Sequence, residues 1–166
     1  MIFCDIKGLY SHYFSIKIKY VRKVVKVMKI STKGRYALRL MLDLAMHYSQ
    51  GYIPLKAVAQ RQEISDKYLE QIIHRLSKAG LVQSARGAQG GYRLTKDPAA
   101  YSVGEILRTV EGSLAPVSCL DCATTCDKIE SCLTIGLYRR IQEAVDGVVD
   151  NTTLADMLQE AEQKQA

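Results

Sequence analysis

The stretch that decides the fold is "DKYLEQIIHRLSKAGLVQSARGAQGGYRL", residues 66–94. Its first half predicts a helix over residues 66–79, because apolar residues recur every three or four positions and polar residues fill the opposite side. Ser65 is a suitable N-terminal cap for this helix, and Gly80 is the residue type that commonly follows a helix end. The second half predicts two strands joined by a glycine-rich turn, with Arg86 beside the turn. The stretch therefore predicts a helix followed by a β-hairpin.

Two further helices are predicted upstream of this stretch. Residues 33–49 carry an apolar stripe that ends at Tyr48, and Ser31 or Thr32 can cap the start of that helix. Residues 55–63 form the second predicted helix. A helix pair, a turn, a polar-faced helix and a hairpin follow one another in a winged helix-turn-helix, whose third helix enters the major groove of DNA.

The polar residues of this region suit contacts with DNA. Gln71 can form two hydrogen bonds with a base edge, while Lys67 and Arg75 suit phosphate or guanine. An arginine at a hairpin tip suits the minor groove. The alternative is an ordinary amphipathic helix with a solvated polar face, but the order of the elements favours DNA binding. The candidate DNA-binding residues are Ser65, Lys67, Tyr68, Gln71, Arg75 and Arg86.

The formal charge is distributed unevenly along the chain. The net charge is +5 in residues 1–27, +8 in residues 28–96 and −7 in residues 97–166. A strongly basic segment beside an acidic one is typical of a polyanion-binding module joined to a sensor or partner module. We therefore predict a DNA-binding domain over residues 28–97, followed by a cysteine loop and dimerisation region over residues 98–166.

The first 27 residues show no helical stripe, and no turn pattern separates them from Met28. They form either a basic arm or an extension that results from a start codon assigned too early, with Met28 the true beginning. The abrupt start of the organised pattern after Met28 favours the second interpretation. The sequence has neither a secretion signal nor a run of 18 apolar residues, so a cytoplasmic protein without membrane association is expected.

The segment "CLDCATTCDKIESC", residues 119–132, holds four of the five cysteines of the chain. In a reducing compartment, clustered cysteines are more often metal ligands than disulfides. Four thiolates can hold zinc or an iron-sulfur cluster, and the spacing alone does not choose between them. The irregular gaps resemble no common zinc-finger arrangement. The isolated Cys4 has no expected role.

An enzymatic role for the cysteines is a distant alternative. Cys119 and Cys122 form a C-x-x-C pair, as in thiol-disulfide oxidoreductases. The pair does not follow a strand and open a helix, and no base that could activate a nucleophile lies nearby. The sequence therefore predicts a protein that is not an enzyme.

The C-terminal region is predicted to be helical. Ser102 and Glu105 match a capping box, residues 133–150 form a long helix, and Thr152 or Thr153 can cap a last short helix. The predicted fold is thus mainly α with a small β-hairpin wing.

Three stretches resemble the Rrf-type family of winged-helix transcription regulators: "STKGRYALRLMLDLA", residues 66–94 and "SVGEILRTVEG". The family includes an iron-sulfur cluster regulator and a repressor of cysteine metabolism, and the resemblance covers about residues 28–158. It implies a homodimer that pairs through the long helix at residues 133–150. Such a dimer presents two recognition helices to a pseudo-palindromic operator in double-stranded DNA.

The family resemblance extends to the cysteines. Members that bind a cluster carry three cysteines between the helix ending in "VEG" and the dimerisation helix, and Cys119, Cys126 and Cys132 lie close to that pattern. They imply a cluster of the 2Fe-2S type. Where the iron-sulfur regulator has a histidine three residues after the last cysteine, this chain has Ile135, so Cys122 is the nearest candidate for a fourth ligand.

The resemblance implies a transcription regulator that senses iron-sulfur cluster, redox or cysteine status. A winged-helix repressor with structural zinc, or with no metal, stays open as the alternative. The sequence gives neither the operator and target genes nor whether the regulator activates or represses.

Overall fold

The computed structural model describes residues 30–87, 89–121 and 126–164. The predicted N-terminal extension, residues 1–27, and Cys122 lie outside them. The described helices and strands follow one another as α1 Thr32–Met46, α2 Leu55–Gln62, α3 Asp66–Lys78, β1 Val82–Ala85, β2 Gly91–Leu94, α4 Val103–Glu111, α5 Ile135–Asn151 and α6 Leu154–Gln163. This order confirms the mainly α winged helix-turn-helix with a hairpin wing and a long C-terminal helix.

Helix α1 begins at a side-chain cap and forms the centre of the core. The Ser31 hydroxyl accepts hydrogen bonds from the amides of Lys33 at 3.1 Å and Gly34 at 3.4 Å, which confirms the predicted cap. Tyr48, predicted on the apolar stripe, is 45% exposed, because α1 ends at Met46 and the chain turns away there. The buried apolar residues of α1 and α3 lie in one cluster, which includes Ala37, Leu40, Met41, Leu44, Leu69, Ile72, Ile73 and Leu76.

An ion pair between the buried Asp43 and the partly exposed Arg61 joins α1 to α2. Asp43 is 1% exposed, and its two carboxylate oxygens accept hydrogen bonds from Arg61 Nη2 at 2.6 Å and Arg61 Nε at 3.0 Å. Gln62 Nε2 donates a third bond at 3.0 Å. Glu63 then adopts a left-handed conformation at φ 53°, which turns the chain sharply into α3. The bidentate pair therefore joins α1 to α2 shortly before α3 begins.

The wing is an antiparallel hairpin that also contacts the segment before α2. Strands β1 and β2 pair with Val82 opposite Leu94, and the amides of Ile53 and Tyr92 donate to each other's carbonyls at 2.9 and 2.8 Å. A Cβ at Gly91 would lie 2.3 Å from the Ile53 carbonyl oxygen, so this close approach requires glycine.

Tyr101 joins the two ends of the hairpin. Its side chain is fully buried, and its hydroxyl donates to the Leu81 carbonyl at 2.8 Å. The same hydroxyl accepts from the backbone amides of Thr95 and Lys96, each at 2.8 Å. One buried oxygen therefore connects the chain that enters β1 with the chain that leaves β2.

Helix α5 packs against α4, whereas α6 contacts α1 directly and buries Leu154 in the main core. The Ser102 hydroxyl accepts from the Glu105 amide at 3.1 Å, but the Glu105 carboxylate pairs with Lys96 at 3.1 Å, so only half of the predicted capping box forms. Of the two predicted caps, Thr152 or Thr153, the structure uses Thr153, which forms a reciprocal capping box with Asp156. Helix α5 begins at Ile135 rather than at residue 133. No helix in the described part of the chain is long and apolar enough to span a membrane.

Candidate nucleic-acid interface and cysteine loop

Helix α3 separates an apolar inner face from a polar outer face. Leu69, Ile72 and Leu76 are buried, which turns Lys67, Gln71 and Arg75 outward, and all three of these polar side chains are exposed; Tyr68 is half-buried. The structure thus brings four of the predicted DNA-binding residues onto one helix face.

Ser65 lies at the N-cap position of α3, as predicted, but its side chain makes no capping hydrogen bond. Its carbonyl oxygen begins the helix instead, accepting from the amides of Tyr68 and Leu69 at 3.1 Å. Asp66 supplies negative charge in the first turn, which favours this helix end without a side-chain cap. Ser65 is exposed at the start of α3 but does not line the open groove along the outer face of that helix.

An open groove runs along the outer face of α3 and extends to the start of α1. Lys33, in the first turn of α1, lines the groove together with Lys67, Gln71 and Arg75. His74 and Glu70 also line it, and a carboxylate can accept a hydrogen bond from cytosine. The sequence does not indicate Lys33 as a site residue, because its position beside α3 depends on how α1 packs across the core.

The wing carries two exposed arginines. Arg86 follows β1 and precedes Gly87, whose φ of +106° is a conformation that favours glycine. Arg93 on β2 was not predicted as a site residue; its guanidinium lies 4.7 Å from the centre of the Tyr52 ring and donates to Gln83 Oε1 at 3.1 Å. The hairpin therefore places Arg86 at the tip and holds Arg93 against its side.

The three predicted cysteine ligands that the structure describes lie between α4 and α5. Cys119, Cys126 and Cys132 are free thiols and partly exposed. The hydroxyl of Thr134 lies 3.4 Å from Cys132 Sγ. This hydrogen bond and the backbone of Thr134 lower the pKa of the Cys132 thiol, which favours the thiolate form that binds metals.

The donor set fits an iron-sulfur cluster or zinc chemically, because both are bound by thiolates. The geometry is not assembled: within residues 30–87, 89–121 and 126–164, no group of three His, Cys, Asp or Glu side chains lies close enough to hold a metal ion. Metal binding therefore requires the loop to draw its cysteines together, as is common where ligation is coupled to folding. Ile135, at the start of α5, carries no donor atom.

Helix α5 has two apolar sides. Val149 is buried against α4, with Val145 packed beside it. Leu137, Ile141 and Val148 face away from the chain and are 50%, 36% and 66% exposed. A helix that is apolar on a solvent-facing side is typical of an interface with another chain.

The chain resembles characterised regulators over most of its length. The family model described as "Rrf2: Iron-dependent Transcriptional regulator" matches residues 30–160. The HTH-type transcriptional regulator CymR of Bacillus subtilis is 44% identical over 130 residues, covering 78% of this chain and 89% of the relative. The HTH-type transcriptional regulator IscR of Serratia proteamaculans is 41% identical over 131 residues, which is 79% of each chain.

Solved structures show the same similarity. The structure titled "T. potens IscR" has a TM-score of 0.68 and 41% identity, covering 83% of this chain and 91% of that chain. The structure of CymR, the global cysteine regulator of B. subtilis, has a TM-score of 0.65 and 44% identity, covering 79% and 96%. Family model, relatives and structures all describe transcription regulators rather than enzymes. The chain therefore belongs to the Rrf2 family of transcriptional regulators.

Proposed function

We propose that this protein is a homodimeric regulator that binds a 2Fe-2S cluster in its cysteine loop and changes its operator binding with the state of that cluster. The observation that carries the proposal is the combination, in one chain, of a basic helix-turn-helix face with three free cysteines directly before the C-terminal helix α5. In this proposal residues 28–97 bind DNA, and residues 98–166 sense and dimerise.

The proposed DNA contacts follow from the geometry of α3 and the wing. Helix α3 enters the major groove, where Gln71 reads a base edge and Lys67 and Arg75 bind phosphate or guanine. Ser65 and Tyr68, at the start of α3, reach the sugar-phosphate backbone. Arg86, at the tip of the wing, enters the adjacent minor groove. Lys33 adds a phosphate contact from the same groove on the protein surface.

The exposed stripe of α5 supports the proposed homodimer. Burying Leu137, Ile141 and Val148 against the same residues of a second copy removes apolar surface from water. A twofold dimer repeats the recognition helix, so the operator is expected to be a pseudo-palindrome in duplex DNA.

The cysteine chemistry and the iron-dependent character of the family support the proposed cluster. Cys119, Cys126 and Cys132 are the proposed ligands, with Cys122 as the fourth in place of the histidine that Ile135 displaces. When bound, the cluster would supply a thiolate-ligated iron centre that can be oxidised or lost. The lowered pKa of the Cys132 thiol raises its thiolate fraction, which favours ligation. Structural zinc on the same thiolates is the alternative, and an assay of iron, sulfide and zinc in the purified protein distinguishes the two.

The DNA-binding half is tested with operator duplexes selected from a random library by the full-length wild-type protein. Gln71→Ala and Arg86→Ala should each weaken binding by about 1–3 kcal/mol, and wild-type affinity should fall steeply as salt rises. Gln159→Ala, which removes an exposed glutamine on α6, is the matched control and should bind as the wild type does. Unchanged affinity and selectivity in both test variants would refute the assigned contacts.

The cluster-binding half is tested by visible absorption of anaerobically purified variants. Cys119→Ser, Cys126→Ser and Cys132→Ser should each lose the brown colour of the wild type, because each removes one ligand. Cys4→Ser is the matched control and should keep it. Loss of colour in Cys122→Ser supports Cys122 as the fourth ligand, and retention assigns that ligand elsewhere.

A further inference from the structure

We infer that Glu111 transmits the state of the cysteine loop to the DNA-binding face by holding the start of α1 beside the recognition helix α3. Glu111 would be a positioning residue, since it is neither a proposed cluster ligand nor a residue that lines the groove along α3. The inference rests on the proposed sensing function and adds the route by which sensing reaches DNA.

The Glu111 carboxylate binds the N-terminus of α1 directly. Its Oε1 accepts hydrogen bonds from the Ser31 amide at 2.9 Å, the Ser31 hydroxyl at 2.5 Å and the Gly34 amide at 3.0 Å. Burial alone would raise the pKa of Glu111, but these bonds and the charge of Lys33 lower it. An ionised carboxylate at a helix N-terminus is also favoured by the helix dipole. The end of α4 is therefore bonded to the start of α1.

The Glu111 side chain and the start of α1 lie in direct contact. A Cβ added at Gly34 would lie 2.5 Å from Glu111 Oε1 and 3.2 Å from Leu107 Cδ2. The carboxylate fills the space beside Gly34, so a displacement of Glu111 breaks its hydrogen bonds to the start of α1 unless α1 moves with it.

Glu111 is also the last residue of α4 before the cysteine loop. Gly112 ends the helix at φ +85°, and Leu114 and Ala115 are then buried before the chain reaches Cys119. The beginning of the loop is thus packed against the protein. Leu114 lies in the same buried cluster as Leu107 of α4 and Val149 of α5, so a rearrangement of the loop can reach the end of α4 through packed side chains.

The start of α1 is in turn part of the DNA-binding face. Lys33 lines the groove along α3, between two residues that Glu111 binds. One turn further along α1, the Tyr36 ring meets the Tyr68 ring of α3 edge to face, with 5.7 Å between their centres. A shift of the α1 start therefore reaches both a proposed phosphate contact and the first turns of the recognition helix.

The inference is tested by the ratio of operator affinities in two loop states of the full-length dimer. One state is reconstituted anaerobically with iron and sulfide, and the other is metal-free and reduced; wild type should show a ratio of about tenfold between them. Glu111→Ala should bring this ratio close to one, while retaining the helical circular dichroism spectrum. Glu105→Gln is the matched control on the same helix and should keep the wild-type ratio, because among the described residues the Glu105 carboxylate pairs with the exposed Lys96 and not with α1.

Hydrogen-deuterium exchange distinguishes transmission from simple capping of α1. In wild type, exchange of the amides of residues 31–40 should differ between the two loop states, and in Glu111→Ala it should be the same in both. A capping role alone would raise exchange equally in both states without removing the difference. If Glu111→Ala does not fold, Glu111→Gln, which keeps an oxygen acceptor but loses the charge, should show a ratio between those of wild type and one.

The outcomes separate this inference from the proposed function. A tenfold ratio that persists in a folded Glu111 variant overturns the role of Glu111 and leaves cluster sensing intact. A ratio of one in wild type overturns sensing by the loop, and the transmission with it.

Discussion

Replacing Tyr101 with phenylalanine removes one oxygen from the base of the wing and leaves the buried ring in place. That oxygen makes three hydrogen bonds of 2.8 Å, to the amides of Thr95 and Lys96 and to the carbonyl of Leu81. It also lies 2.9 Å from the Thr95 hydroxyl, which keeps its bond to the Gly80 carbonyl in the variant and is therefore left out of the sum. At about 1 kcal/mol for each net hydrogen bond, the upper expectation is roughly 3 kcal/mol.

The surrounding contacts reduce this value. The Leu81 carbonyl also accepts from the Thr95 hydroxyl at 3.3 Å and from the Thr95 amide at 3.4 Å, so two of the three partners keep a weak bond in the variant. The Lys96 amide loses its partner in the structure and needs water instead. We therefore expect Tyr101→Phe to lower the free energy of unfolding by about 2 kcal/mol.

The assay is chemical denaturation at one fixed protein concentration, because the stability of a dimer depends on concentration. Tyr48→Phe removes the same oxygen from a side chain that is 45% exposed, and should change the free energy of unfolding by less than about 0.5 kcal/mol. Equal, small effects of the two substitutions would show that the hydroxyl of Tyr101 does not hold the wing as described.

Three further predictions follow from other contacts. Asp43→Asn should lower the free energy of unfolding by roughly 2–3 kcal/mol, as measured by thermal and urea denaturation. This is less than the usual cost of breaking a fully buried ion pair, because the Arg61 side chain is 39% exposed. Thr134→Val should raise the pKa of Cys132 and slow its alkylation by iodoacetamide at neutral pH, whereas Thr134→Ser should not; mass spectrometry of the alkylated peptide measures the rate. Because the folded-state pKa of Glu111 is lowered, the stability advantage of wild type over Glu111→Gln should be complete above the ordinary glutamate value of 4.5. It should disappear as the pH falls through the lowered value, as denaturation at a series of pH values will show.

The local elements could be predicted from the sequence because their causes are local. The stripe of α3, the Ser31 cap and the glycine-rich turn each depend on residues a few positions apart, and the structure contains all three. The start of α5 was placed two residues early, because Leu133 continues the apolar spacing of that helix. Leu133 precedes α5 and is 101% exposed, so spacing alone did not show where the helix begins.

The contacts that position the candidate site join residues far apart in the sequence. Glu111 binds Ser31 across 80 positions, and Asp43 binds Arg61 across 18. Asp43 stands among the apolar residues of α1, which indicates a buried charge that needs a partner. The sequence pattern does not show that this partner is Arg61. The position of Lys33 beside α3 likewise depends on tertiary packing, which periodicity does not encode.

The central claim concerns what the cysteine loop binds, and the most direct measurement is the iron and acid-labile sulfide content of full-length wild-type protein purified without oxygen. A 2Fe-2S cluster in every chain predicts about two iron and two sulfide per chain. Sulfide-free, colourless protein that carries about one zinc per chain would contradict the claim and assign the loop to structural zinc.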